Sequence, residues 1–272
     1  MKHLRQAAFQ VPLILLALAI LFPLYFPVVN SFKSNAEFLR SPAGLPTSPT
    51  LRAYSEAVAG RGVGLLFLNS TIISVTSVAT ATVLGAMAAY AIAKMDFRGR
   101  SLAFHSLLPL MVVPPIAVLV PQFVLFGHLG LVGHRAAVIL IYVGIMLPFT
   151  VYLLRNFFLG IPNDIIDSAR LDGAGPWVVF WRIVLPLARP GLITAAIINF
   201  VFAWNELLIS LVFLQNENSR TLVVGLTIFR SRLTLDVPVL MAGLTVATIP
   251  VVLVYAFGQR YLVRGLLSGI GK

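Results

Sequence analysis

Residues 161–186 read IPNDIIDSARLDGAGPWVVFWRIVLP. The stretch places Asp164, Asp167, Arg170, Asp172 and Arg182 close together in a chain of 272 residues that is 59% apolar and only 11% charged. A segment with that density of charge belongs in water or against a partner, because an unpaired charge is costly in an apolar medium. On both sides of it the sequence turns strongly apolar, and those flanks set the fold class.

Mean hydropathy is +0.95 over the chain, and apolar runs of roughly 20 residues recur, long enough to cross a hydrocarbon layer at about 1.5 Å per residue. The pattern predicts an all-α, polytopic membrane protein with six transmembrane helices, at about 11–29, 67–93, 102–126, 136–154, 191–214 and 239–262, forming one domain over 1–272. The first run is too long for the apolar core of a signal peptide and lacks a small-residue cleavage site after it. Segments 30–66 and 215–238 are read as aqueous loops, the former with a short helix near 53–58. Pro109, Pro114, Pro115 and Pro121 all fall in the third run, where each missing N–H demands a kink or break. Ser70, Ser74, Ser77, Ala81, Gly85 and Ala88 recur every three or four residues in the second, a small-residue face suited to bundle packing or to lining a path.

The formal net charge is +11, but the basic residues are scattered between apolar runs and form no stripe, which argues against nucleic acid as a partner. Membrane topology accounts for them. Of the 20 Lys and Arg, twelve fall near 2–5, 94–100, 155, 170–189 and 260–272, and eight fall in the alternate loops. The side richer in Lys and Arg faces the cytoplasm, so both termini and the 161–186 loop are expected there. There is no cysteine, and His3, His105, His128 and His134 lack metal-ligand spacing, so neither a metal nor a redox cofactor is expected.

Within the loop, Pro162 suits a helix start, Asn163 is a candidate cap, and Asp164 and Asp167 complement the helix dipole. Asp167 and Arg170, three apart, are placed to pair. Gly173 and Gly175 supply a stop. After Pro176 a second helix is expected, with Trp177, Phe180 or Trp181, and Val184 on one face, lying at the membrane edge.

Asp167, Ser168 and Ala169, then Gly173, then Ile183, Leu185 and Pro186 resemble the pattern Glu-Ala-Ala, x3, Gly, x9, Ile-x-Leu-Pro, the EAA motif of the permease subunits of binding-protein-dependent ABC importers. The spacing is intact, with Asp for Glu and Ser for Ala. NSFKSNAEF at 30–38, AYAIAKMDFRGR at 89–100, LLRNFFLGIP at 153–162 and WNELLISLVFL at 204–214 extend the likeness over nearly the whole chain. Together they look like the carbohydrate-uptake branch, specifically its maltose-permease-like second subunit.

The resemblance implies that 163–171 is a coupling helix seated in a separate ATPase subunit, with Asp164, Asp167, Ser168, Ala169, Arg170, Asp172, Gly173, Ile183, Leu185 and Pro186 as the coupling residues. It implies a second homologous permease, two ATPase subunits, an extracytoplasmic solute-binding protein and a bacterial or archaeal cytoplasmic membrane. No GxxxxGK[ST] phosphate loop occurs, so ATP and Mg are expected on the partner, and the chain is expected to be a transport subunit and not an enzyme. Glu206, about 22 Å along its run from Gly191 in a regular helix, is with Asn205 a candidate for the solute path or binding-protein contact, against a structural polar contact. Asn199 and Gln122 could bond a sugar or another helix. An importer for sugar or a related polyol or glycerol-phosphate solute is the leading reading. The alternatives are an ion-coupled secondary transporter, an ABC permease for another solute, and a scaffold or channel.

Overall fold

Helices form where the apolar runs lie. The computed structural model describes residues 2–60, 62–232 and 236–270. In chain order its α-helices are α1 (Lys2–Asn30), α2 (Asn35–Arg40), α3 (Arg52–Ser55), α4 (Val63–Lys94), α5 (Arg100–Leu107), α6 (Leu119–His128), α7 (Arg135–Leu159), α8 (Asn163–Leu171), α9 (Pro176–Val179), α10 (Leu185–Leu187), α11 (Arg189–Asn205), α12 (Leu208–Phe213), α13 (Leu222–Arg232) and α14 (Val237–Ile270). The protein is all-α, with no strand among the described residues.

Among the described residues, four stretches are long and apolar enough to cross a membrane alone: Gln10–Asn30, Val63–Lys94, Arg135–Leu159 and Val237–Leu262. Two bent pairs, Arg100–Met111 with Pro115–His128 at 95° and Pro176–Leu187 with Arg189–Asn205 at 76°, raise the number to six if each is one crossing. The first bend falls at the proline cluster. Pro114 is extended, with ψ 131°, as the residue before a proline must be, and a short 3₁₀ turn stands on either side.

The chain divides into two units. One comprises Met1–Phe67 and Val224–Pro250, the other Leu68–Val223 and Val251–Lys272. In the first, Lys33, expected in an aqueous loop, is only 1% exposed. Its Nζ donates to the carbonyls of Ser41 (2.8 Å) and Pro42 (3.3 Å), which is how a buried ammonium is tolerated. Ser31 and Tyr54 hydroxyls bond at 2.8 Å. Arg52 pairs with Glu56 at 2.6 Å and lies 3.6 Å from Asp236. The short helix expected near 53–58 is α3 followed by a wide π turn, Glu56–Gly60.

In the second unit α4, α7 and α11 pack closely, and small residues permit it. A Cβ on Gly85 would sit 2.6 Å from Thr150 Cγ2, and one on Gly191 would sit 2.6 Å from the Phe157 ring. Because lipid is as apolar as leucine, such close backbone approach and buried hydrogen bonds hold membrane helices together. Ser70, Ser74, Ser77, Ala81 and Gly85 are all buried, and Ala88 is partly so. Asn199 donates to Thr150 Oγ1 at 2.8 Å, and Thr150 donates to the Met146 carbonyl.

Two expectations change. The run 191–214 is not one helix: α11 ends at Asn205 and α12 restarts at Leu208, because the Glu206 carboxylate takes up the backbone donors of the next turn. The 215–238 segment is not simply aqueous, since it contains α13, whose Leu222 and Val224 are fully buried. Of the basic residues that set the topology, Arg61 and Lys272 lie outside the described residues, as do the side chains of Lys2, Arg5, Arg230, Arg232 and Arg264.

Candidate functional site

The 161–186 loop leaves α7 through a tight turn in which Gly160 and Ile161 donate to the carbonyls of Phe157 and Phe158. Pro162, with φ −57° and ψ 137°, precedes α8 and makes no side-chain cap bond. Asn163 is therefore not the cap expected of it. Its Oδ1 instead accepts from Lys94 Nζ at 2.7 Å, and the same ammonium donates to the Ile161 carbonyl at 2.6 Å.

Inside α8, Ser168 Oγ donates back to the Asp164 carbonyl at 2.8 Å. Arg170 Nη1 lies 3.2 Å from Asp167 Oδ1, the expected pair, with both side chains at least half exposed. An exposed pair of this kind contributes about 0–1 kcal/mol, so it orients more than it stabilises. The C-terminus is a Schellman closure. Gly173 N–H donates to the Arg170 carbonyl at 3.0 Å, and Ala174 N–H to the Ala169 carbonyl at 2.9 Å, with Gly173 at φ +83°. That conformation costs an ordinary L residue about 1–2 kcal/mol, and Ala169 and Ala174 on either side of the closure both pack against the apolar cluster beneath it. Gly175 is extended, φ −69°, and needs no left-handed freedom.

The second helix runs from Pro176 to Leu187 through a wide turn, Phe180–Val184. Pro186 lacks an N–H and its ring crowds the carbonyl four residues back, so widening the turn before it relieves the clash. Val179, Phe180 and Val184 are buried, whereas Trp177 and Trp181 are 62% and 50% exposed. The buried face is thus set by Phe180, and the tryptophans lie outside it.

Packing gives the loop two sides. Ile161, Ile166, Phe180 and Val184 join Ala89, Tyr90, Leu154 and Phe158 in one apolar cluster, with Ala169 and Leu185 packed against it. Phe180 and Tyr90 ring centroids are 5.2 Å apart. Ile183 and Pro186 are half-buried, completing the base. Outward project Asp164, Asp167, Arg170 and Asp172, together with Leu171 at 90% exposure and Ile165 at 41%. Leu171 and Lys94 were not singled out from sequence. A lone leucine between Arg170 and Asp172, and a lysine ending an apolar run, were the available signals.

The other candidates do not join this loop. Asn199 is buried in the α7–α11 contact described above, so it bonds another helix. Asn205 donates to the carbonyl of Val201 in its own helix at 2.8 Å. Gln122 in α6 has a buried Oε1 without a hydrogen-bond partner among the described residues. Glu206 is the hub of a network: it accepts from Tyr142 Oη (2.7 Å), Ile209 N–H (2.8 Å) and Ser210 N–H (3.1 Å), and Tyr142, fully buried, also meets Ser210 Oγ at 2.7 Å. Glu206→Ala strands these donors, at about 1.5–3 kcal/mol for a bond to a charged group. A clear fall in the thermal midpoint of the detergent-solubilised protein is expected, and a smaller fall for Glu206→Gln, which keeps one acceptor oxygen. Among the described residues no group of three His, Asp or Glu could hold a metal ion.

Residues 81–268, which contain the whole loop, match the family model described as "Binding-protein-dependent transport system inner membrane component". The chain belongs to this family. The permease is 35% identical over 259 residues to the diacetylchitobiose uptake system permease protein NgcG of Streptomyces coelicolor, covering 94% of this chain and 86% of that one. It is 36% identical to the trehalose transport system permease protein SugB of Mycobacterium tuberculosis, covering 84% of each. Among solved structures, a chain of a bacterial ABC transporter involved in the import of the acidic polysaccharide alginate matches the permease with TM-score 0.83 at 25% identity, over 95% of this chain and 96% of that one.

Proposed function

We propose that this permease is the membrane-crossing subunit of an ATP-driven importer that moves a carbohydrate solute inward. In this reading the chain crosses six times, so both termini and the 161–186 loop share one side, and the Lys and Arg excess there favours the cytoplasm. A second homologous permease completes the pathway, two ATPase subunits bind ATP and Mg, and an extracytoplasmic binding protein delivers the solute. The observation that carries this reading is α8 itself: a short helix closed by a Schellman turn, buried on Ile166, and offering Leu171 among Asp164, Asp167 and Asp172 on its free side. A helix fixed at its base can transmit a displacement that a loose loop would absorb. Closure of the ATPases would draw the two docking helices together and bias the permease pair toward its outward-facing state, and hydrolysis would reset it.

A sugar cargo is supported by the relatives named for diacetylchitobiose and trehalose transport. The family assignment and the intact EAA spacing favour this reading over an ion-coupled transporter. The assembled complex in proteoliposomes tests it, with the binding protein outside and labelled trehalose or diacetylchitobiose as probes. Uptake is expected only with ATP on the ATPase side and is expected to survive a proton ionophore. Uptake without ATP that collapses with the ionophore would overturn the assignment.

A further inference from the structure

We infer that Lys94 is a positioning residue, a strut that carries displacement of α8 into α4; the inference rests on the docking role proposed for α8. Lys94 is the last residue of α4, and its ammonium reaches across 67 and 69 residues of sequence to the Ile161 carbonyl and Asn163 Oδ1. Those acceptors flank Pro162, which has no N–H and gives α8 no side-chain cap. Burial at the fork pulls the Lys94 ammonium below the usual lysine range, and the Asp167 carboxylate, one turn into α8, partly offsets this. The N-terminal end of α8 is therefore held by the covalent turn from α7, by Ile161 and Ile166 in the apolar cluster, and by this fork.

The fork differs in kind from the rest of the loop's packing. Ile166, Phe180 and Tyr90 make apolar contacts, which are non-directional and can slide. Two charge-assisted bonds from one nitrogen fix distance and direction. At its other end stands a 32-residue helix, about 48 Å long at 1.5 Å per residue, so a shift delivered at Lys94 moves a rod that spans the bilayer. Without the fork, α8 keeps its Schellman closure, its buried Ile166 and the outward placement of Asp164, Leu171 and Asp172, because none of these bonds Lys94. Docking should survive while transmission fails.

The test uses the full complex in proteoliposomes with labelled trehalose or diacetylchitobiose, and it records solute taken up per ATP hydrolysed together with co-purification of the ATPase. Lys94→Met is expected to retain the ATPase and its turnover while the uptake-to-ATP ratio falls about tenfold, the effect of losing charged hydrogen bonds. Lys94→Arg, which keeps the donors, is expected to restore most of the ratio. Asn163→Ala removes one acceptor from an exposed position and is expected to lower the ratio by about threefold. An unchanged ratio in Lys94→Met and Asn163→Ala overturns the strut. Loss of the ATPase from Lys94→Met overturns it too, by making Lys94 part of docking. If instead the wild-type chain retains no ATPase, the docking reading fails, and the strut with it.

Discussion

Gly173→Pro is expected to lower uptake and retention of the ATPase sharply, while the chain still inserts in the membrane. Gly173 holds φ at +83°, and the proline ring fixes φ near about −65°, so the substituted residue cannot close the turn. The Gly173 N–H bond to Arg170 is lost outright, and the Ala174 bond to Ala169 has no geometry left to form. The last turn of α8 unravels, and with it the placement of Leu171 and Asp172. Retention of the ATPase and initial uptake rates should both fall at least about tenfold, the effect of losing roughly 1.4 kcal/mol or more at one interface. Gly173→Asn is the control, because asparagine tolerates the left-handed region; it should retain most activity. Normal uptake by the proline variant would remove the basis for giving α8 a coupling role.

The second large effect is expected at Leu171. At 90% exposure the side chain stabilises nothing within this chain, so Leu171→Glu should leave insertion and thermal stability unchanged. In a docked complex the same leucine is covered, and burying it is worth about 1.5–3 kcal/mol. Replacing it with a carboxylate beside Asp167 and Asp172 forfeits that term and adds repulsion wherever the cleft is acidic. The ATPase should bind about 10- to 100-fold more weakly, as read by titration of purified ATPase onto the permease in nanodiscs. Leu171→Met, similar in volume, should bind almost as the wild type does. Equal affinity for Leu171→Glu would show that this face is not the contact.

Much of the architecture was legible because bilayer thickness fixes the length of an apolar run, so the runs at 67–93 and 136–154 announce themselves, within helices of 63–94 and 135–159. The break at Glu206 was not, since an apolar run gives no sign that its carboxylate turns to the N–H groups of Ile209 and Ser210, or that Tyr142, 64 residues away in sequence, bonds it as well. Buried α13 escaped for a similar reason: its short apolar pattern sits between polar flanks, and burial is decided by what packs around it. Within the site, Gly173 was readable because glycine is the residue type that best suits a left-handed helix stop. Asn163 was misassigned as a cap because its real partner, Lys94, lies on another helix. The exposed tryptophans show the same limit, since spacing alone left Phe180 and Trp181 as equal candidates for the buried face.

The most direct test of α8 as the docking helix exploits the absence of cysteine in the natural chain. Leu171→Cys supplies a single thiol on the outward face. In membranes stripped of the ATPase a bulky maleimide should label it fully. In the assembled complex the thiol should be protected, and a short bismaleimide should join it to a cysteine placed in the ATPase cleft. Equal labelling in stripped and assembled complexes, with no cross-link, would contradict the account.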